Sequence, residues 1–313
     1  MIYQDIWNKI KEYDVITIFG HVVPDGDCYG SQLGIRNAIR NAFPNKKVYA
    51  LGSGFPRLFD LVGKMDVVDD EVVKSSLALV LDVANQARVE DQRFLTAKEI
   101  IKIDHHIPQE HFGVIELVET ERISATEIIT TILLENNVEI TKDAALPLFL
   151  GLVTDSGRFL YQPINQGTFN VAGALAATGI DCGQLYDKLY ESDEKMLRVK
   201  GYIYSNYIKT DEGLIYLCLP KEDLHKLGID FNTGASQVNS LSNIKGYPVW
   251  VFFSESDSGE VRVEFRSKDL DVQKIAAAFG GGGHLHASGC KLSSLEEHKY
   301  VVEAINKALR ESK

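Results

Sequence analysis

Short, nearly continuous apolar runs punctuate the first half of the chain at Val15–Phe19, Lys47–Leu51, Leu77–Leu81 and Ile100–Ile103. Runs of this length between polar segments read as strands buried on both faces. Between and after them the apolar residues recur with a helical period, over Ser31–Ala42, Ala125–Glu135 and Lys142–Val153. Strands alternating with helices predict an α/β fold built on a doubly wound, mostly parallel sheet. From Leu185 to Tyr207 the pattern stays helical but becomes highly charged, which suits a linker. Beyond it the rhythm changes. Leu214–Leu219, Pro248–Phe253 and Glu260–Arg266 read as strands, the last two joined as a hairpin at Asp257-Ser258-Gly259. Two helices flank the glycine run Gly280–Gly283, and the last of them opens on Ser294 and Glu297, spaced as a capping box. The expected organisation is an α/β domain over 1–184, a helical linker over 185–208 and a smaller α/β domain over 209–313.

Composition narrows the class. The 313 residues suffice for two domains with separate cores, and the apolar and charged fractions, 45% and 25%, are those of a globular chain. No apolar run approaches the roughly eighteen residues of a membrane helix, and the first residues lack a basic stretch followed by an apolar core. No membrane association and a cytoplasmic setting are therefore expected. Cys28, Cys182, Cys218 and Cys290 are scattered and form no CxxC pair, which argues against structural zinc and a disulfide framework. The net charge of −11 argues against long duplex nucleic acid as a partner. A small phosphate-bearing substrate stays open, because metal ions and a few arginines can supply positive charge locally.

Candidate chemistry gathers where strands end. His21, Asp25 and Asp27 follow the first strand, Asp82 follows Leu77–Leu81, and Asp104-His105-His106 follows Ile100–Ile103. Asp155 follows an apolar helix. Taken singly, an aspartate at a strand end is commonly a turn residue or a helix cap. Together they sit where an open α/β sheet binds ligands. Clustered carboxylates repel unless something cationic neutralises them. A dinuclear metal site does this, and a mixed Asp/His set suits Mn²⁺ better than Ca²⁺ or structural Zn²⁺.

In the second half Arg262 and Arg266 are four apart on a predicted strand and so share a face. They either fork onto phosphate oxygens or form a solvated strand face. Gly280–Gly283 either lets backbone N–H groups approach an anion or is a flexible turn. Arg158 either reaches substrate phosphate or pairs with an acidic neighbour. Cys28 reads as a packing residue, Phe159 and Tyr161 either pack or stack a base, and His111, His225 and His298 read as surface residues.

The His21–Asp27, Leu81-Asp82, Asp104-His105-His106 and Thr154–Arg158 segments resemble the motifs of the DHH phosphoesterase superfamily. Arg262–Lys268 and Gly280–His284 resemble its DHHA1 substrate domain, and a two-domain chain of this size is most similar to the nanoRNase/pAp-phosphatase branch. The resemblance implies two Mn²⁺ ions, with Mg²⁺ or Co²⁺ as substitutes. His21, Asp25 and Asp82 would hold one ion, and Asp27, Asp82, His105 and Asp155 the other. Asp104 would orient a ligand or touch metal, and His106 would face the scissile phosphate. Arg262, Arg266, Ser267, Gly282, Gly283, His284 and Arg158 would bind substrate. The implied reaction is hydrolysis, by a water activated between two metals, of very short RNA to mononucleotides. The same branch removes the 3′-phosphate of adenosine 3′,5′-bisphosphate (pAp) to give AMP. One departure stands out: relatives commonly carry proline after the histidine of the glycine loop, whereas this chain has Leu285 and His286.

Cyclic dinucleotides or linear pApA are the nearest rival substrates, since the same chemistry serves them. A pyrophosphatase would be expected to carry a basic segment in place of the glycine–histidine loop, and a processive DNA exonuclease a longer chain. A nucleotide sensor would be expected to lack a metal ligand, and every ligand position here is filled. The oligomeric state stays open, a homodimer included.

Overall fold

The structure, a computed structural model, describes residues 2–161 and 163–312. It divides into two compact units, the first ending at Glu191 and the second beginning at Ser192. The first unit contains α1 (Ile2–Glu12), β1 (Val15–Phe19), α2 (Gly26–Ala42), β2 (Lys47–Ala50), the short helices α3 (Phe59–Val62) and α4 (Asp70–Lys74), β3 (Leu77–Leu81), β4 (Glu99–Asp104) and β5 (Ile115–Val118). Helices α5 (Ala125–Glu135), α6 (Lys142–Asp155), α7 (Gln166–Ala177) and α8 (Cys182–Tyr190) complete it. Its sheet is parallel throughout, in the order β2-β1-β3-β4-β5. Leu77, Leu79 and Leu81 of β3 join one apolar core, while Ala78 and Val80 join another on the opposite face. Both faces are covered, which is why the strand reads as an unbroken apolar run.

Helix α2 starts at Gly26, five residues before the expected Ser31. Glycines weaken a helix in isolation, but here they admit a neighbour. A Cβ on Gly30 would run into the Pro147 carbonyl oxygen of α6, and one on Gly34 into Leu148. Close packing of α2 on α6 overrides propensity. Strand β5, four residues long and interrupted by Glu116, is not evident from the sequence.

The second unit contains α9 (Lys195–Asn206), β6 (Ile208–Lys209), β7 (Leu214–Leu219), α10 (Lys221–Leu227), α11 (Phe231–Ser236), β8 (Val249–Glu255), β9 (Val261–Ser267), α12 (Val272–Ala278), β10 (Gly282–His284), β11 (Ala287–Leu292) and α13 (His298–Glu311). Its mixed sheet runs β10-β11-β9-β8-β7-β6. The segment expected as one linker is broken. Leu185 of α8 is buried in the first unit's core, and Val199 and Ile203 of α9 in a core of the second. The capping box at Ser294 does not form: Glu297 accepts from the Ser293 hydroxyl instead. The glycine run is followed by strands, not directly by a helix, and its last residues form β10. Among the described residues no helix is long and apolar enough to cross a membrane.

Candidate metal centre

In the first sheet β2 lies on one side of β1, and β3, β4 and β5 on the other. Loops leaving β1 and β3 therefore diverge and open a crevice at the carboxyl ends of those strands. His21, Asp25 and Asp27 follow β1, Asp82 follows β3, and Asp104 ends β4. Asp155 ends α6.

His21 turns Nδ1 to the Val22 carbonyl at 2.9 Å, so Nε2 faces the crevice, 3.6 Å from Asp25 Oδ2 and 3.4 Å from Asp82 Oδ2. Asp25 caps α2: its Oδ1 accepts the N–H groups of Asp27 and Cys28, each at 3.0 Å. Asp27 is wholly buried and held by the first turn of α5, accepting from the N–H of Ala125 at 2.6 Å and of Thr126 at 3.0 Å. The Thr126 hydroxyl adds a third bond at 2.7 Å. A Cβ on Gly151 would lie 2.7 Å from Asp27 Oδ1, so glycine is needed there.

Asp82 adopts a left-handed backbone, φ 59°, a conformation aspartate enters more readily than most residues. Its two oxygens face different neighbours. Oδ2 faces His21, while Oδ1 lies 3.4 Å from His105 Nε2 and 3.5 Å from His106 Nδ1. His105 Nε2 is also 3.4 Å from Asp155 Oδ2 and 3.9 Å from Asp27 Oδ2. Asp82 thus stands between His21 with Asp25 and a second group of Asp27, His105 and Asp155. Asp82 Oδ1 and His105 Nε2 are buried without a hydrogen-bond partner. Orphaned buried groups are expensive, and acceptor atoms converging at such distances fit a cation. Asp155 adds to the case, since a carboxylate at a helix C-terminus is disfavoured unless a cation offsets it.

Electrostatics agree. Burial, with help from the Asp82 carboxylate, pushes Asp27 up to about 7. Burial and the charges of Asp27 and Asp82 push Asp155 well up. Burial would lower His105, but Asp82, Asp27 and Asp155 outweigh it and raise the imidazole to about 10. His21 is likewise raised against burial by Asp25 and Asp82. Without metal the cluster retains protons where cations would sit, and binding must expel them. Below the raised values those protons compete, so metal affinity should climb with pH. Calorimetric titration with a divalent ion in buffers of differing ionisation enthalpy should record release of about one proton or more per chain, with tighter binding at about pH 8.5 than at about pH 6.5. Equal affinity at both values would refute the protonated cluster.

Asp104, expected to orient a ligand or touch metal, is wholly buried beside His106. Its Oδ1 accepts from the N–H groups of His105 and His106 at 2.9 and 3.2 Å and lies 2.8 Å from His106 Nδ1. Burial would raise this carboxyl, but the bonds from His106 and the nearby Lys102 hold it low. The wholly buried Lys102 was not singled out from the sequence, although a lysine inside an apolar strand is the signal. Its Nζ donates to the carbonyls of Ala84 and Glu110 at 3.0 and 3.2 Å, tying two crevice loops together. Cys28, read as packing, is buried and also accepts the His21 N–H through Sγ at 3.2 Å.

The second unit carries a cleft of about 780 Å³ lined by Arg262, Glu264, Arg266, Lys291 and the glycine segment. The two arginines do share a face of β9, with Glu264 between them. Gly282 and Gly283 lie in an edge strand paired to Gly289 and Ser288. A Cβ on Gly283, whose φ is 138°, would lie 2.7 Å from the Ala287 carbonyl oxygen. Ser267 falls outside the cleft: strand alternation turns it to the opposite face, where its hydroxyl donates to the Leu270 carbonyl and lies 3.2 Å from His286 Nδ1. His284 ends β10, and its side chain lies outside the described residues. Arg158 sits in a left-handed turn, with φ of 54°, 65° and 65° over Gly157–Phe159, and stacks 4.8 Å from the Tyr190 ring centre in the first unit.

An open α/β sheet with a buried Asp/His cluster at its switch point, in a chain whose second unit carries an arginine-lined cleft, points to a metal-dependent phosphoesterase. Residues 15–152 match the DHH family, N-terminal domain, and residues 212–311 match the DHHA1 domain. The chain is 33% identical to the bifunctional oligoribonuclease and PAP phosphatase NrnA of Bacillus subtilis, covering 98% of each chain. It is 34% identical to the probable bifunctional oligoribonuclease and PAP phosphatase NrnA of Streptococcus mutans, covering 98% of this chain and 99% of that one. The crystal structure of an exopolyphosphatase-related protein from Bacteroides fragilis superposes with a TM-score of 0.86 at 28% identity, covering 99% of this chain and 96% of that one. The chain belongs to the DHH/DHHA1 phosphoesterases, in their nanoRNase and pAp-phosphatase branch.

Proposed function

We propose that this enzyme hydrolyses phosphoester bonds in very short RNA, releasing mononucleotides, and removes the 3′-phosphate of pAp, using two Mn²⁺ ions. The observation that carries the reading is Asp82, whose two buried oxygens face separate sets of acidic and histidine side chains. The names of the Bacillus and Streptococcus relatives support the substrate class. His21, Asp25 and Asp82 would hold one ion, and Asp27, Asp82, His105 and Asp155 the other. Bound there, divalent ions would supply positive charge to the scissile phosphate and lower the pKa of a water. The chain's own groups do the rest. Bonds from α5 keep Asp27 in one rotamer, Asp25 spends one oxygen on the helix cap and keeps the other for metal, and Asp104 fixes His106 through Nδ1. His106 then presents Nε2 to a phosphoryl oxygen, an interaction that gains strength as charge builds in the transition state. In the second unit Arg262, Arg266 and the glycine strand hold a substrate phosphate.

Product analysis on pAp, dinucleotide and pentanucleotide RNA, c-di-AMP and pyrophosphate in parallel tests this. AMP from pAp and mononucleotides from both RNAs are expected. Chelation should abolish both activities, and Mn²⁺ should restore them better than Mg²⁺ or Ca²⁺. Full hydrolysis after exhaustive metal removal would sink the mechanism, and preferential turnover of c-di-AMP or pyrophosphate would sink the substrate assignment.

A further inference from the structure

The cleft of the second unit contains a carboxylate where a phosphate site would be expected to hold only donors. Glu264 is 8% exposed and lies between Arg262 and Arg266 on β9. Its Oε1 accepts from Arg262 Nε at 2.6 Å and is 2.6 Å from Arg262 Nη2, while Oε2 accepts from Arg266 Nη1 at 3.1 Å. Each guanidinium has one further anchor, Asn232 Oδ1 at 3.4 Å for Arg262 and the Phe265 carbonyl at 2.8 Å for Arg266. Across the ladder Glu264 faces Gly289. The remaining cation, Lys291, is already engaged by Glu260 at 3.0 Å. Two consequences follow. One buried carboxylate fixes the spacing of both guanidiniums, and it cancels one of their two charges.

We propose that Glu264 is a specificity-determining residue: it locks the two arginines as a fork and trims the cleft's charge to suit a singly charged phosphodiester. Doubly charged groups, such as inorganic phosphate or the terminal phosphate of a mononucleotide product, are held less tightly, which favours product release. The inference rests on the phosphoesterase function proposed above.

The test compares wild type, Glu264→Gln, Arg262→Gln and the double variant in the full-length metal-loaded enzyme. Calorimetry should show inorganic phosphate binding about tenfold tighter to Glu264→Gln, a gain that disappears when Arg262→Gln is added. The ratio of kcat/KM for pAp to that for an unphosphorylated dinucleotide should rise by a similar factor. An unchanged phosphate affinity, an unchanged ratio, or a gain that survives in the double variant would overturn the proposal. If the glutamine variant loses its native circular dichroism, Glu264→Ser carries the same comparison. Wild type turning over none of these substrates would instead remove the proposed function, leaving the phosphate-binding comparison to be read by itself.

Discussion

Asp82→Asn lowers kcat on short RNA by about a thousandfold or more, the equivalent of roughly 4 kcal/mol of transition-state stabilisation. Asp25→Asn is expected to cost about a tenth as much in rate, because in the proposed site it would remove a ligand from one ion while Asp82 would serve both. Asparagine is the informative replacement. Asp82 has φ 59°, and alanine there would add about 1 kcal/mol of backbone strain that confuses stability with catalysis. Asparagine tolerates that conformation and keeps the side chain's shape while removing its charge. Elemental analysis of bound metal, with kcat and the unfolding midpoint, separates the effects. Metal content should fall while the midpoint of the metal-free protein holds or rises, since one of several crowded carboxylates is gone. A mild kcat effect with full metal retention would refute Asp82 as the shared ligand.

The second large effect concerns substrate length. From two to five nucleotides kcat/KM should stay high, and by about twenty-four nucleotides it should fall by roughly a hundredfold. The chain carries 44 acidic and 33 basic residues, a net −11. The groups proposed to hold substrate lie at the metal centre, at Arg158 and in the cleft of the second unit. Each phosphate beyond those sites meets a protein of net negative charge and is expected to contribute repulsion instead of binding energy. Because that repulsion is screened, raising ionic strength should narrow the gap between short and long RNA. Single-turnover cleavage of labelled RNAs at fixed Mn²⁺ and two salt concentrations makes the comparison. Efficient processive degradation of the longest RNA would overturn the short-substrate reading while leaving the metal centre intact.

Much of this protein was legible in local pattern. The four strands β1 to β4 announce themselves as short, largely apolar runs, and the candidate metal ligands other than Asp155, which ends α6, are recognisable because each lies just past a strand end. Arg262 and Arg266 share a face because strand geometry repeats every two residues, and the same parity places Glu264 with them and Ser267 away. Other features belong to tertiary structure. The start of α2 at Gly26 depends on how closely α6 approaches, a preference that glycine's own helix propensity opposes. Strands β5, β10 and β11 are short, half polar or glycine-rich, so their pairing partners define them more than their composition does. The pairing of Asp27 with the first turn of α5 joins residues about a hundred positions apart. The placement of Asp82 between two sets of side chains likewise depends on loops from several strands meeting at one crevice. Periodicity reports which face a residue occupies; only packing decides which faces meet, because contact energies between distant segments leave no trace in the local order of residues.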